Sequence, residues 1–351
     1  MNDMQRIKED YPWIQTPVVV GAPMRLIALA DMAVEISKAG GIGFIGAGTD
    51  VSDLDSHLSS AQTLLSALPS PLPTKPHTLP IGVGFINWGA DLSAAMPLIQ
   101  KYKPCAAWFF APSSLSSLAA WTQQTRQASP ATKIWVQVGS VQDAISAVST
   151  ADADVLVVQG TDAGGHGLAH GASLMSLLPE VHDALSVSAG VGPLLIAAGG
   201  IAESRSACAA VLLGADGVCL GTRFLACPEA SIASGYQAEV LRATDGGQVT
   251  VRTKVYDHLR GTTGWAETHN ARGIVNRSYF DAVGGMDVEE NKRLYEAEME
   301  KGDEGWGEHA RMTAYAGTAV GLVREVKGAG DIVKEIREGV KVVLKGAKMM
   351  L

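Results

Sequence analysis

Cysteine is scarce in this chain and poorly placed for cross-linking or metal capture. The four residues, Cys105, Cys208, Cys219 and Cys227, sit in or beside apolar runs, and no two form a CxxC pair. Disulfides and zinc are therefore not implied, and reduced core thiols in a cytoplasmic protein are the expectation. Also missing is an uninterrupted apolar run of the roughly 18 residues that suggest a membrane span, and the charged stretch Met1–Trp13 lacks the apolar centre of a signal peptide. Blocks of like charge are absent too: 28 Lys and Arg against 36 Asp and Glu give −8, spread along the chain. Neither nucleic acid nor a membrane is expected as a partner, and homo-oligomers are left open.

What the chain does have is apolar residues, 47% of 351, and 39 glycines. Eight short apolar runs recur: 17–20, 42–45, 81–86, 107–110, 134–138, 155–159, 194–197 and 218–220. Between them lie stretches of helical periodicity such as 26–38, 92–101, 141–149, 173–185 and 203–213. Strand and helix in alternation predict an α/β fold with a parallel sheet, and strands apolar on both faces predict burial on both. Eight units in sequence favour closure, because a barrel leaves no strand edge exposed.

The fold expected is a (β/α)8 TIM barrel over residues 14–246, with an appended, largely helical C-terminal segment over 247–351 packed on it. Within that segment 288–302 and 332–344 read as helices. The Pro-rich stretch 69–80 reads as a surface connector between strands two and three.

In such a barrel the site lies at the C-terminal strand ends, and phosphate commonly binds the loops after strands seven and eight. Those loops here are Ala198-Gly199-Gly200-Ile201 and Gly221-Thr222-Arg223-Phe224, each leading toward a helix. Glycine lets backbone approach an anion, and the first N–H groups of a helix have no internal partner. One such loop alone would read as a tight turn; two at these positions read as a phosphate cradle.

After strand six comes Gln159-Gly160-Thr161-Asp162-Ala163-Gly164-Gly165-His166-Gly167, whose glycines let backbone lie flat on a planar ligand while His166 offers a group that exchanges protons near neutral pH. His170 would pair with His166 at i, i+4 on a helix, yet no carboxylate or cysteine ligand follows at useful spacing, so no metal is expected. Asp162 reads as a turn cap. Gly41-Ile42-Gly43-Phe44-Ile45-Gly46 fits GxGxxG but lies inside a strand run, which disfavours a nicotinamide-binding Rossmann half.

Taken in order, Gly21-Ala22-Pro23-Met24, Ser37 to Gly43, Gly160 to Gly167, Ala197 to Ile201 and Gly214 to Phe224 resemble the nitronate monooxygenases, formerly 2-nitropropane dioxygenases. The likeness runs from about residue 16 to 228, with a weaker echo at 271–276 and 316–319. It implies a flavoenzyme that oxidises alkyl nitronates with O2 to a carbonyl compound and nitrite, some members also acting on neutral nitroalkanes. It implies FMN packed near Ala22, Pro23 and Met24, with Asn87 and Gln137 on its polar edge or ribityl chain. Gly164, Gly165, Gly199, Gly200, Gly221 and Thr222 would hold its phosphate or lie beside the ring, and His166 falls on the catalytic histidine.

Two departures stand out. Arg25 follows Met24 where many relatives are small, and could pair with an anionic substrate or simply face solvent; Gln137 stands where many carry lysine. The competing readings are an FMN-dependent NAD(P)H enoyl-acyl-carrier-protein reductase and a low-turnover flavin-binding sensor or scaffold.

Overall fold

The apolar runs become strands in a computed structural model that describes residues 3–186 and 192–349. Residues 1–2 and 350–351, the ends of the charged N-terminal stretch and of the expected C-terminal segment, lie outside them. In chain order the strands are β1 (Val18–Gly21), β2 (Phe44–Gly48), β3 (Leu79–Ile86), β4 (Pro104–Phe110), β5 (Lys133–Val138), β6 (Val155–Gln159), β7 (Gly165–Leu168), β8 (Leu194–Ala198), β9 (Gly217–Leu220), β10 (Thr250–Thr253) and β11 (His269–Ile274).

Eight of them form one parallel sheet in the order β1-β9-β8-β6-β5-β4-β3-β2. The sheet curls until its ends meet, because Val20 bridges Ile42 just before β2, and Gly21 N–H donates to Ile42 O at 3.0 Å. Each of the eight expected runs supplies one of these strands.

Side chains alternate across the sheet, as a period of two requires. Val18, Val20, Phe44, Trp108, Trp135, Val157 and Ile196 fill the inside of the curl. Val19, Ile45, Phe109, Val136, Leu156, Val158 and Ala197 face the surrounding helices. The helix Asp3–Asp10 closes the end of the curl where the strands begin, burying Ile7 and Tyr11, and Tyr11 Oη accepts from Trp135 Nε1 at 2.7 Å.

The helices start where the sequence places caps. Asp91 caps Leu92–Tyr102, Ser114 caps Leu115–Ala128 and Ser140 caps Val141–Ala151, each accepting from a backbone N–H of the first turn. Gly43 stands where a side chain would strike the backbone of Ala33 in the helix Ala30–Lys38, so glycine lets that helix lie on the sheet. The GxGxxG match thus leads into a strand and not into a phosphate-binding helix.

Beyond residue 247 the structure departs from the expected helical segment in two ways. β10 and β11 pair antiparallel, and β11 also pairs antiparallel with β7, giving a three-stranded sheet over the mouth of the curl. The last helix, Ala329–Lys348, packs against Ala30–Lys38 and Ser204–Leu212, and its Ile332, Val333, Ile336 and Val340 join the core between sheet and helices. It therefore completes the helical layer, while the chain between β9 and this helix forms an insertion. No helix among the described residues is long and apolar enough to cross a membrane.

Candidate active site

A cavity of about 830 Å3 opens at the C-terminal ends of the strands, a size that suits a cofactor with a small substrate. Of the residues singled out in the sequence, Ala22, Pro23, Met24, Arg25 and Gln137 line it, as do Gly164, Gly165, His166, Gly199, Gly200, Gly221 and Thr222. Asn87 does not. It lies buried between two lining residues, Ile86 and Trp88, its Oδ1 accepts from Phe110 N–H at 2.8 Å, and its Nδ2 is buried without a partner among the described residues.

The two late glycine turns are neighbours because β8 pairs β9, with Ala198 opposite Cys219. Gly199 and Gly200 have φ of 101° and 73°, a backbone that L side chains rarely adopt. No backbone hydrogen bond among the described residues uses the N–H of Gly199, Gly200 or Ile201, so these donors need an acceptor from outside the chain or from water. The helix that follows contributes less than the sequence suggests. It starts at Ser204, and the Glu203 carboxylate accepts from Arg205 N–H and Ser206 N–H, so its end is already capped. The free donors lie in the turn itself. Across from it, Thr222 Oγ1 accepts from Gly317 N–H at 3.0 Å, which ties the second turn to the insertion.

His166 sits on β7 and not on a flexible loop: it lies opposite Ala271 in the β7–β11 ladder. The chain bends at Ala169 and His170, so the helical i, i+4 histidine pair does not form. Two arginines of the insertion pin the glycine-rich stretch by its carbonyls. Arg252 donates to Thr161 O at 3.1 Å and Ala163 O at 3.0 Å, and Arg272 donates to Thr161 O at 3.2 Å. Burial, and then the charge of Arg272, pushes the Arg252 guanidinium down to about 10, which leaves it cationic at neutral pH and able to hold those carbonyls.

The imidazole itself is fixed on several sides. Its Nε2 lies 2.8 Å from Asp257 Oδ1, its ring stacks on Trp265, and the Tyr315 ring is 5.7 Å away. Gln159 Nε2 donates to the His166 carbonyl at 3.2 Å. Behind Trp265 stand Trp88 and Phe110, at 5.5 and 5.7 Å between ring centroids.

Among the described residues no Asp or Glu lines the cavity, while Arg25, Arg260 and His166 do. Arg25 lies along Gly48, where a side chain would strike it, and is exposed. Arg260 stands 5.2 Å over the Tyr315 ring. Such a lining favours anionic occupants. Gln137 Oε1 accepts from Trp108 Nε1 at 3.1 Å, which leaves its amide nitrogen to donate into the cavity.

Asp257, Arg260, Trp265 and Tyr315 are site residues that sequence reasoning did not find. All four lie in the stretch taken to be mostly helix. The one local hint is Gly261-Thr262-Thr263-Gly264-Trp265, a tryptophan flanked by turn residues.

Comparison with known proteins bears on the family and the fold. The family described as nitronate monooxygenase matches residues 119–339. A nitronate monooxygenase of Metarhizium robertsii is 45% identical over 343 residues, covering 97% of this chain and 95% of its own. One from Neurospora crassa is 37% identical over 356 residues, covering 96% and 93%. Among solved structures, FabK from Thermotoga maritima superposes with a TM-score of 0.73 at 23% identity over 99% of both chains, a likeness of fold alone.

Proposed function

The chain belongs to the nitronate monooxygenase family, and from that premise we propose that it is an FMN-dependent oxidoreductase. It oxidises alkyl nitronates with O2 to a carbonyl compound and nitrite, and also accepts neutral nitroalkanes. The observation that carries this reading is the placement of His166, in a cavity lined by no Asp or Glu among the described residues, beside the Gly199-Gly200-Ile201 turn, whose N–H groups make no backbone hydrogen bond among them.

The residues present fit FMN. The N–H groups of Gly199, Gly200 and Ile201, with the Gly221-Thr222 turn beside them, suit a phosphate. The amide nitrogen of Gln137 suits the acceptor-rich edge of a flavin or its ribityl chain. Ala22, Pro23 and Met24 offer an apolar surface for the ring. When bound, FMN supplies the redox chemistry, taking electrons from the nitronate and passing them to O2.

The chain's own part is electrostatic and acid–base. Arg260 attracts the nitronate into the cavity that His166 lines. With a neutral nitroalkane, His166 takes the proton from the carbon next to the nitro group. Trp88, Phe110 and Trp265 make this side of the cavity apolar.

We read the curled sheet as a (β/α)8 barrel whose last helix is Ala329–Lys348, with the intervening insertion as wall of the site. A reducing, cytoplasmic setting suits four buried, unpaired cysteines.

Anaerobic mixing of the yellow holoenzyme with propionate 3-nitronate or ethyl nitronate tests the reading. Rapid bleaching of flavin absorbance is expected. Bleaching by NAD(P)H alone would favour a reductase, and bleaching by neither a sensor.

A further inference from the structure

Asp257 touches His166, yet the chemistry above gives it no task. Its carboxylate is 4% exposed. Oδ1 meets two groups, His166 Nε2 at 2.8 Å and Thr262 Oγ1 at 2.9 Å, while Oδ2 is buried without a partner among the described residues. An ionised carboxylate can only accept hydrogen bonds, so the proton between the two residues belongs to His166 Nε2. A neutral imidazole carries one N–H. With that proton on Nε2, the basic lone pair lies on Nδ1, which makes no hydrogen bond among the described residues, and His166 lines the cavity.

Resting on the function proposed above, we infer that Asp257 is a positioning residue that locks His166 in its Nε2–H form and makes Nδ1 the proton-accepting atom. In the step this serves, the C–H bond next to the nitro group breaks and its electron pair stays on the substrate, which becomes the nitronate. The proton forms a bond to Nδ1. The positive charge then on the ring lies 2.8 Å from the Asp257 carboxylate and flat on the face of Trp265, and both contacts favour it. The arrangement follows the logic by which an aspartate orients a catalytic histidine elsewhere, but here the partner comes from the insertion and not from the sheet.

Two measurements test this. The first is a long-range 1H–15N spectrum of the histidine-labelled holoenzyme above the imidazole titration, with the His166 signals assigned by their loss in His166→Asn. Nε2 should bear the proton and Nδ1 should not; a proton on Nδ1 overturns the inference and needs no Asp257 variant. The second is turnover by Asp257→Asn. Its kcat/KM on neutral nitroethane should fall at least about 10-fold, and on ethyl nitronate by less than about 3-fold, with FMN retained and Asp257→Glu recovering part of the loss. Equal effects on both substrates, or a wild-type enzyme inert toward nitroethane, would refute the proton-transfer role. His166→Asn separates the two levels: if it turns over nitroethane like wild type, the function reading fails, and if only Asp257→Asn does, the inference alone fails.

Discussion

The imidazole of His166 lies flat on the indole of Trp265, with 3.8 Å between ring centroids and 9° between planes. One residue comes from a short strand after β6 and the other from the turn that leads into β11. Stacking covers one face of the imidazole, so the ring can present only its edges and the opposite face to a ligand. Trp265 is in turn backed by Trp88 and Phe110 from the strand ends. The sheet therefore supplies the floor of the site, and the insertion between β9 and the last helix fixes the His166 ring.

Replacing Gly221 with valine should weaken FMN without harming the fold. Gly221 has φ of −110°, and a Cβ there would meet Ala22 and Met24 only at ordinary contact distances, 3.6 and 3.9 Å. The added atoms would occupy the cavity beside the proposed phosphate position. A flavin titration should show binding weakened at least about 10-fold, or about 1.4 kcal/mol, with the melting temperature of the apoprotein unchanged. Gly164→Ala should lower the melting temperature of the apoprotein as well, since its Cβ would stand 2.5 Å from the backbone of Ala316. Unaltered FMN affinity in Gly221→Val would remove that turn from the phosphate site.

Arg260 lines the cavity and stands over the Tyr315 ring, and among the described residues no ion pair to a carboxylate spends its charge. Arg260→Gln should raise KM for ethyl nitronate about 10-fold, the usual size of a lost charge-assisted hydrogen bond. For neutral nitroethane KM should move little, and added salt should narrow the gap between the two substrates. Equal changes for both substrates would mean that Arg260 shapes the cavity and does not recognise charge.

The strands were legible because each is buried on both faces, so apolar runs such as Val155–Val158 stand out from any neighbour. The glycine turns were legible because their position after β8 and β9 follows from counting strands. β7 was not. Gly165-His166-Gly167-Leu168 has no strand pattern of its own and becomes a strand only by pairing with β11, far along the chain. Asp257 and Trp265 reach His166 through that same long-range pairing, which no local periodicity records. Placing the start of an appended segment at residue 247 followed from the loss of alternation there, yet the last helix returns to the outer layer of the sheet.

That return predicts a large stability effect far from the site. Ile336 is 2% exposed and packs in the core shared by sheet and helices. Ile336→Ala should cost about 2–5 kcal/mol and lower the melting temperature by several degrees, with the flavin spectrum of the folded fraction unchanged. A cost below about 1 kcal/mol would suit a loosely attached tail instead.

The last prediction concerns acid. His269 is half-buried on β11, stacked near Trp265 at 6.1 Å, and burial holds its pKa below the ordinary histidine value. The charges of His166 and Arg252 push in the same direction, against Asp143. Between that lowered value and about 6.5, the unfolded chain carries a proton on this residue that the folded chain does not. Stability must then fall as pH drops through this window, and it is fully regained above it. Melting curves of the apoprotein from about pH 7.5 to 5.5 should decline more steeply for wild type than for His269→Gln, because glutamine cannot titrate. Comparing the two slopes cancels every other group that titrates in the same range. Parallel slopes would mean that His269 binds its proton as readily in the folded chain as in water, and that the wall behind Trp265 is wetter than its packing indicates.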